Sequence, residues 1–136
     1  MTWAKSLIKI STYEVEMLQK RMAEVVDRRA AAELKLALLE AEGLAEAQAA
    51  KDAEHGWYQI GFLDGLRMRK TAAQAEIDRL LLEEAGVRDA LAEAFEAQKK
   101  YEHVVETARR AQVKETARRE TAALDELGLR RAAAGR

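Results

Sequence analysis

Apolar side chains return every three or four residues from Ala4 to Leu39, and that spacing admits few folds. With Ile8 as heptad position a, the a row is Ile8, Val15, Met22, Arg29 and Leu36, and the d row is Ala4, Ser11, Leu18, Val25, Ala32 and Leu39. Such a repeat lays one seam along a helix, and a second helix must cover it. The seam fades at Gly43 and Glu46, so packing is expected to loosen there. None of the 136 residues is a proline, so ring geometry bars no position from a helix interior. The expected fold class is all-α.

The segment Asp52-Ala53-Glu54-His55-Gly56 interrupts the pattern. Gly56 is the candidate to end the first helix in a left-handed conformation, which costs glycine little. Beyond it a second register begins. Its d row is Leu66, Ala73, Leu80, Val87, Ala94, Tyr101 and Ala108, and its a row is Leu63, Lys70, Ile77, Glu84, Leu91, Gln98 and Val105. The two seams satisfy each other if the chain turns back. The alternative, one unbroken helix, would leave both uncovered. The pattern predicts an antiparallel coiled-coil hairpin forming one domain over 1–136: helix one about 3–53, a turn about 54–57, helix two about 58–131 and a tail at 132–136.

The hairpin is expected to be lopsided. With the turn near residue 55, Ala4 lies opposite roughly residue 107, and the later seam positions turn polar at Gln112, Glu115 and Arg119. Residues after about 112 should form an overhang about 25–35 Å long. Acidic residues precede basic ones by four at Glu16–Lys20, Glu24–Arg28, Glu84–Arg88, Glu96–Lys100, Glu106–Arg110, Glu115–Arg119 and Glu126–Arg130. Each such helical pair stabilises by about 0.2–0.5 kcal/mol.

Composition narrows the function classes. Aromatics are 5% and charged residues 35%, the mixture of long or coiled-coil helices, with a core too thin to enclose a substrate pocket. Lys and Arg total 23 against 24 Asp and Glu, without the basic stripe of a nucleic-acid binder. No apolar run approaches the roughly 20 residues of a membrane span, and residues 1–10 lack signal-peptide character. The absence of cysteine fits a reducing compartment. The expectation is a cytoplasmic protein without direct membrane insertion.

Catalytic chemistry has no constellation behind it, so the chain is expected not to be an enzyme and to need no cofactor or metal. His55 and His103 stand apart without further ligands. Glu83-Glu84 and Asp125-Glu126 read as a solvated face rather than desolvated catalytic carboxylates. Gly61 and Gly65 lack the Gly-Lys-Ser/Thr of a phosphate loop. The Arg-Arg pairs at 28–29, 109–110, 118–119 and 130–131 have acids nearby and read as ion-paired surface.

Two features point to partners. Trp57, Tyr58 and Phe62, three of the seven aromatics, cluster after the turn, with Leu66 one helical turn beyond Phe62. They either cap the open end of the hairpin or anchor a partner, as interface aromatics do. The stretch Glu115 to Arg131 has no seam partner and carries a small strip of Ala123, Leu124 and Leu127. A lone helix of that length is marginal in water, which favours docking.

Trp57, Tyr58, Phe62 and Leu66, the tail from Arg118-Arg119-Glu120 through Asp125-Glu126-Leu127 to Arg130-Arg131, and the opening Trp3-Ala4-Lys5-Ser6-Leu7-Ile8 together resemble the FliJ family of flagellar type III export components. The resemblance spans nearly the whole chain. It implies a non-enzymatic stalk or adaptor that engages the export ATPase ring (FliI-like), the export-gate membrane protein (FlhA-like) and export chaperones, peripheral at the cytoplasmic face of the inner membrane when assembled. It carries a gate contact onto Phe62 and Leu66, with Arg69 and Ala73 further along, and it places the end holding both termini in the ATPase ring. Arg118, Arg119, Leu124 and Leu127 are the candidate partner residues of the tail. The alternatives are an export chaperone, which would co-purify with one filament or hook subunit, and a structural coiled coil that self-associates through its seam. Closure of the two seams within one chain predicts a monomer in isolation.

Overall fold

The structure, a computed structural model, describes the backbone of residues 2–51 and 56–135 and the side chains of residues 2–51 and 60–135. Two helices account for nearly all of it, α1 (Thr2–Lys51) and α2 (Gly56–Ala134). They pack antiparallel as a hairpin, the longer α2 running past the start of α1. Both form for local reasons: alanine-rich sequence, no proline, and side-chain pairs one turn apart. Lys51 and Arg131 sit in the last turns of α1 and α2, where a cation complements the helix dipole.

The ends differ from expectation in two places. Gly56 opens α2 rather than closing α1, and among the described residues no glycine has a positive φ. Asp52–His55 lie outside the described residues. At the far end α2 continues through Ala132, Ala133 and Ala134, beyond the expected limit at Arg131, because alanine is the strongest helix former. The Gly135 amide then donates to the Arg131 carbonyl at 3.0 Å.

Contacts divide the chain into two compact units, Glu14–Glu93 and Met1–Tyr13 with Ala94–Arg136. In Glu14–Glu93 the helices meet along the predicted seam. Val15, Val25, Ala32 and Leu39 of α1 are buried, as are Leu66, Ala73, Ile77, Leu80 and Val87 of α2. One cluster joins Ala32, Ile77 and Leu80; another joins Leu39, Leu66 and Ala73; Leu36 packs against both. The antiparallel register is explicit in the cross-helix ion pairs Arg28–Glu83, Arg29–Glu84 and Glu42–Arg69.

In the other unit the seam is thinner. Ala4, Ser11 and Ala94 are buried, the Ser11 hydroxyl donating to the Ile8 carbonyl at 3.0 Å. Gln98 Nε2 donates to Thr12 Oγ1 at 3.4 Å across the two helices. Tyr101 sits at a d position yet is 37% exposed. Beyond Gln112 the seam ends as expected, and every described residue from 116 to 135 is exposed.

Candidate interaction surfaces

The residues expected to bind partners after the turn fall into two groups. Trp57 and Tyr58 lie in the first turns of α2, with side chains outside those described. Leu66 is only 4% exposed, in the cluster with Leu39 and Ala73, and Phe62 packs half-buried against the same cluster. Heptad position explains this: Leu66 is a d residue, so the seam takes it. Ala73 is buried with it, and Arg69 pairs with Glu42 at 3.7 Å. The exposed apolar surface nearby comes instead from Ile60, Leu63 and Met68. Leu63 occupies an a position but remains 40% exposed, where the seam of α1 has already faded.

The tail residues are accessible. Leu124 and Leu127 are exposed, and Val113 shares their side of the helix one turn before Ala117. Arg118 grips Glu115 through two bonds, Nη2 to Oε1 at 2.8 Å and Nε to Oε2 at 3.0 Å, and Arg119 Nε donates to Glu115 Oε1 at 3.2 Å. The Arg118 hydrogen bonds hold the Glu115 carboxyl below its ordinary range, and Glu115 in turn raises Arg118. Arg109 and Arg110 converge likewise on Glu106, whose pKa falls to about 2. Glu115, Arg119 and Glu126 therefore continue the a and d rows of the seam, while Val113, Ala117, Leu124 and Leu127 follow another side.

Where the helices are paired, Arg28 and Arg29 join α1 to α2. Arg28 turns from Glu24 towards Glu83 on α2, at 2.8 Å. Arg29 Nε donates to Glu84 Oε2 at 2.6 Å, and Arg29 Nη1 to Glu33 Oε1 at 2.9 Å. Those acceptors lie behind the raised pKa of Arg29, the Glu33 bond contributing most. Glu84 is 6% exposed, which corrects its expected place on a solvated face: it occupies an a position, and burial there is tolerated because Arg29 and Arg88 both reach it. Five of the seven expected pairs four residues apart close, at Glu84–Arg88, Glu96–Lys100, Glu106–Arg110, Glu115–Arg119 and Glu126–Arg130.

An open groove of about 570 Å³ lies beside the start of α1, lined by Ala4, Ile8 and Val105 with Lys5 and Lys9 at its rim. It exists because alanine at a d position is too short to fill the space between helices. Among the described residues no three potential ligands gather to hold a metal ion, and no helix is long and apolar enough to cross a membrane.

The heptad analysis overlooks a further surface, the outer side of α1 between Ala30 and Ala45. Positions b, c and f carry only alanine and leucine there, all exposed. A scan of the positions opposite the seam for missing charge would have found it.

Fold and surfaces define a helical-hairpin coiled coil with apolar side chains exposed on both helices. The chain is 52% identical over 134 residues, 98% of its length and 96% of theirs, to the "Flagellar FliJ protein" of two strains of Caulobacter vibrioides. It belongs to the FliJ family of flagellar proteins. No family model matches the chain, and no solved structure matches it.

Proposed function

We propose that the chain is a non-enzymatic stalk or adaptor of the flagellar type III export apparatus, linking the export ATPase ring to the export gate and to substrate chaperones. It works in the cytoplasm, at the inner face of the membrane when assembled. The observation that carries this reading is identity with FliJ proteins along nearly the full length of both chains. The fold is compatible with it: α2 is one helix of 79 residues, and ion pairs one turn apart support its unpartnered end.

The tail and the aromatic turn have separate roles in this proposal. Leu124 and Leu127, with Arg118 and Arg119 beside them, face the ATPase ring. Trp57, Tyr58 and Phe62 belong to the gate contact, joined by Ile60 and Leu63. Leu66 contributes by holding this stretch of α2 on α1.

Truncation after Gln112 provides the test, because it removes the overhang and leaves the seam untouched. The truncated chain should keep its helical hairpin, fail to recover the export ATPase from cell extracts, and abolish swimming in complementation. Unchanged recovery of the ATPase would refute the proposed tail contact. Phe62→Ala should weaken recovery of the gate protein; Leu66→Ala is a poor probe because it opens the seam.

A further inference from the structure

Between Ala30 and Ala45, α1 is apolar on two opposite faces. The seam consumes one. On the other, Leu34, Leu38 and Leu44 are 61%, 62% and 74% exposed, interleaved with exposed Ala31, Ala37 and Ala41. Two opposite apolar stripes on one helix call for two covering partners. α2 occupies only the seam.

We propose that this outer face of α1 pairs with the same face of a second copy of the chain, antiparallel, about a two-fold axis close to Leu38. The pattern is self-complementary in size. Alternating large and small residues lets two such faces interdigitate, and in this arrangement Leu38 of each copy lies over Ala41 of the other. It is also self-complementary in charge along one edge. Lys35 and Glu42 stand one heptad apart on the same border of the face. The two-fold operation brings Lys35 of each copy to Glu42 of the other. Lys35 makes no ion pair within 4 Å among the described residues, its nearest acidic influence being Glu76 of α2, and Glu42 is held by Arg69 at 3.7 Å, with the Arg69 and Glu42 side chains near half exposed. On the other border Glu33 is neutralised by Arg29 at 2.9 Å. Glu40, which has no ion pair among the described residues, meets its own copy near the axis and weakens the contact.

The contact is small. A single helix pair touching over roughly 24 Å buries less than the roughly 1,200 Å² of a standard stable interface. The dimer is therefore weak and concentration-dependent, and the chain is monomeric when dilute. The seam stays closed within each copy, so dimerisation leaves the hairpin intact.

Sedimentation velocity on the full chain between about 20 µM and about 1 mM spans the dissociation range of so small a contact. The wild-type chain should pass from monomer to dimer, and Leu38→Glu should remain monomeric with unchanged circular dichroism. Lys35→Glu alone and Glu42→Lys alone should each dimerise at least several-fold more weakly. Their equimolar mixture should recover the dimer, because both 35–42 pairs on that border then join unlike charges. Glu40→Gln should tighten it. A wild-type chain that stays monomeric at about 1 mM, a Leu38→Glu chain that dimerises as well as wild type, or a mixture no better than its components would overturn the proposal. So would loss of swimming by Leu38→Glu in cells when the wild-type chain never dimerises, since another protein then covers the face.

Discussion

Arg29 of α1 donates from Nε to Oε2 of Glu84 on α2 at 2.6 Å, joining two a positions across the seam. This contact fixes how the helices line up. A slip of one heptad would set Arg29 against Ile77 or Leu91 and leave the Glu84 carboxylate among apolar side chains. One ionic pair in an apolar seam thereby selects a register, at some cost in stability relative to an all-apolar core.

Arg29→Ala should therefore lower the melting temperature more than Arg28→Ala. Both arginines pair across the helices, but Arg28 serves Glu83, which is more exposed than Glu84. Replacing Arg29 and Glu84 together by leucine should restore or exceed wild-type stability, since desolvation of both charges is avoided. Thermal melts of the three variants against wild type distinguish a register-setting pair from a purely stabilising one, for which the double leucine variant would melt lower than wild type.

Leu80 is 1% exposed and Leu82, two residues on, is 77% exposed. Leu80→Ala removes a side chain packed on Ala32 and Ile77 and should cost about 2–4 kcal/mol in urea unfolding. Leu82→Ala should change stability by less than about 0.5 kcal/mol. Equal effects would mean that the seam does not lie where these burials put it.

The seam was legible residue by residue because an antiparallel hairpin imposes one period on both strands of its core. Every a and d position of α1 from Ala4 to Leu39 is buried or half-buried, and the fade at Gly43 on α1 has its counterpart in the exposure of Leu63 on α2. The overhang could be read from the polar turn of the same positions at Gln112. Cross-helix pairing was less accessible. Nothing local distinguishes Arg28, which leaves Glu24 for Glu83, from Arg88, which stays with Glu84. The same limit applied to Leu66: one helical turn from an aromatic, it had the spacing of a docking residue, but its d position sent it into the core.

Gly43 and Gly86 should respond oppositely to alanine. Both lie inside helices, where Gly→Ala ordinarily gains about 0.5–1 kcal/mol. A Cβ on Gly86 meets nothing within 4 Å, so Gly86→Ala should show that gain. A Cβ on Gly43 would stand 2.8 Å from Cδ2 of Leu66, which is itself confined by Leu39 and Ala73. Gly43→Ala should cancel the gain or lose about 1 kcal/mol. Gly43→Ala combined with Leu66→Ala should lose less than the sum of the single changes, because the added methyl then fills part of the space vacated.

The last prediction concerns acid. Hydrogen bonds first from Arg109 and then from Arg110 lower the Glu106 carboxyl from its ordinary 4.5 to about 2. A carboxyl lowered on folding contributes stability that is fully present above its unfolded value and disappears as pH falls through its folded value. The contribution from Glu106 should thus be intact above about pH 4.5 and vanish progressively towards pH 2. Carbon-13 titration of the Glu106 side chain should show a midpoint below those of the unpaired glutamates, moving up towards the ordinary value in molar salt because the site is exposed and screened. Arg109→Gln should raise that midpoint more than Arg110→Gln, since Arg109 supplies two of the three bonds. An unshifted midpoint in the wild-type chain would mean that the Arg109 and Arg110 pairs to Glu106 do not persist in solution.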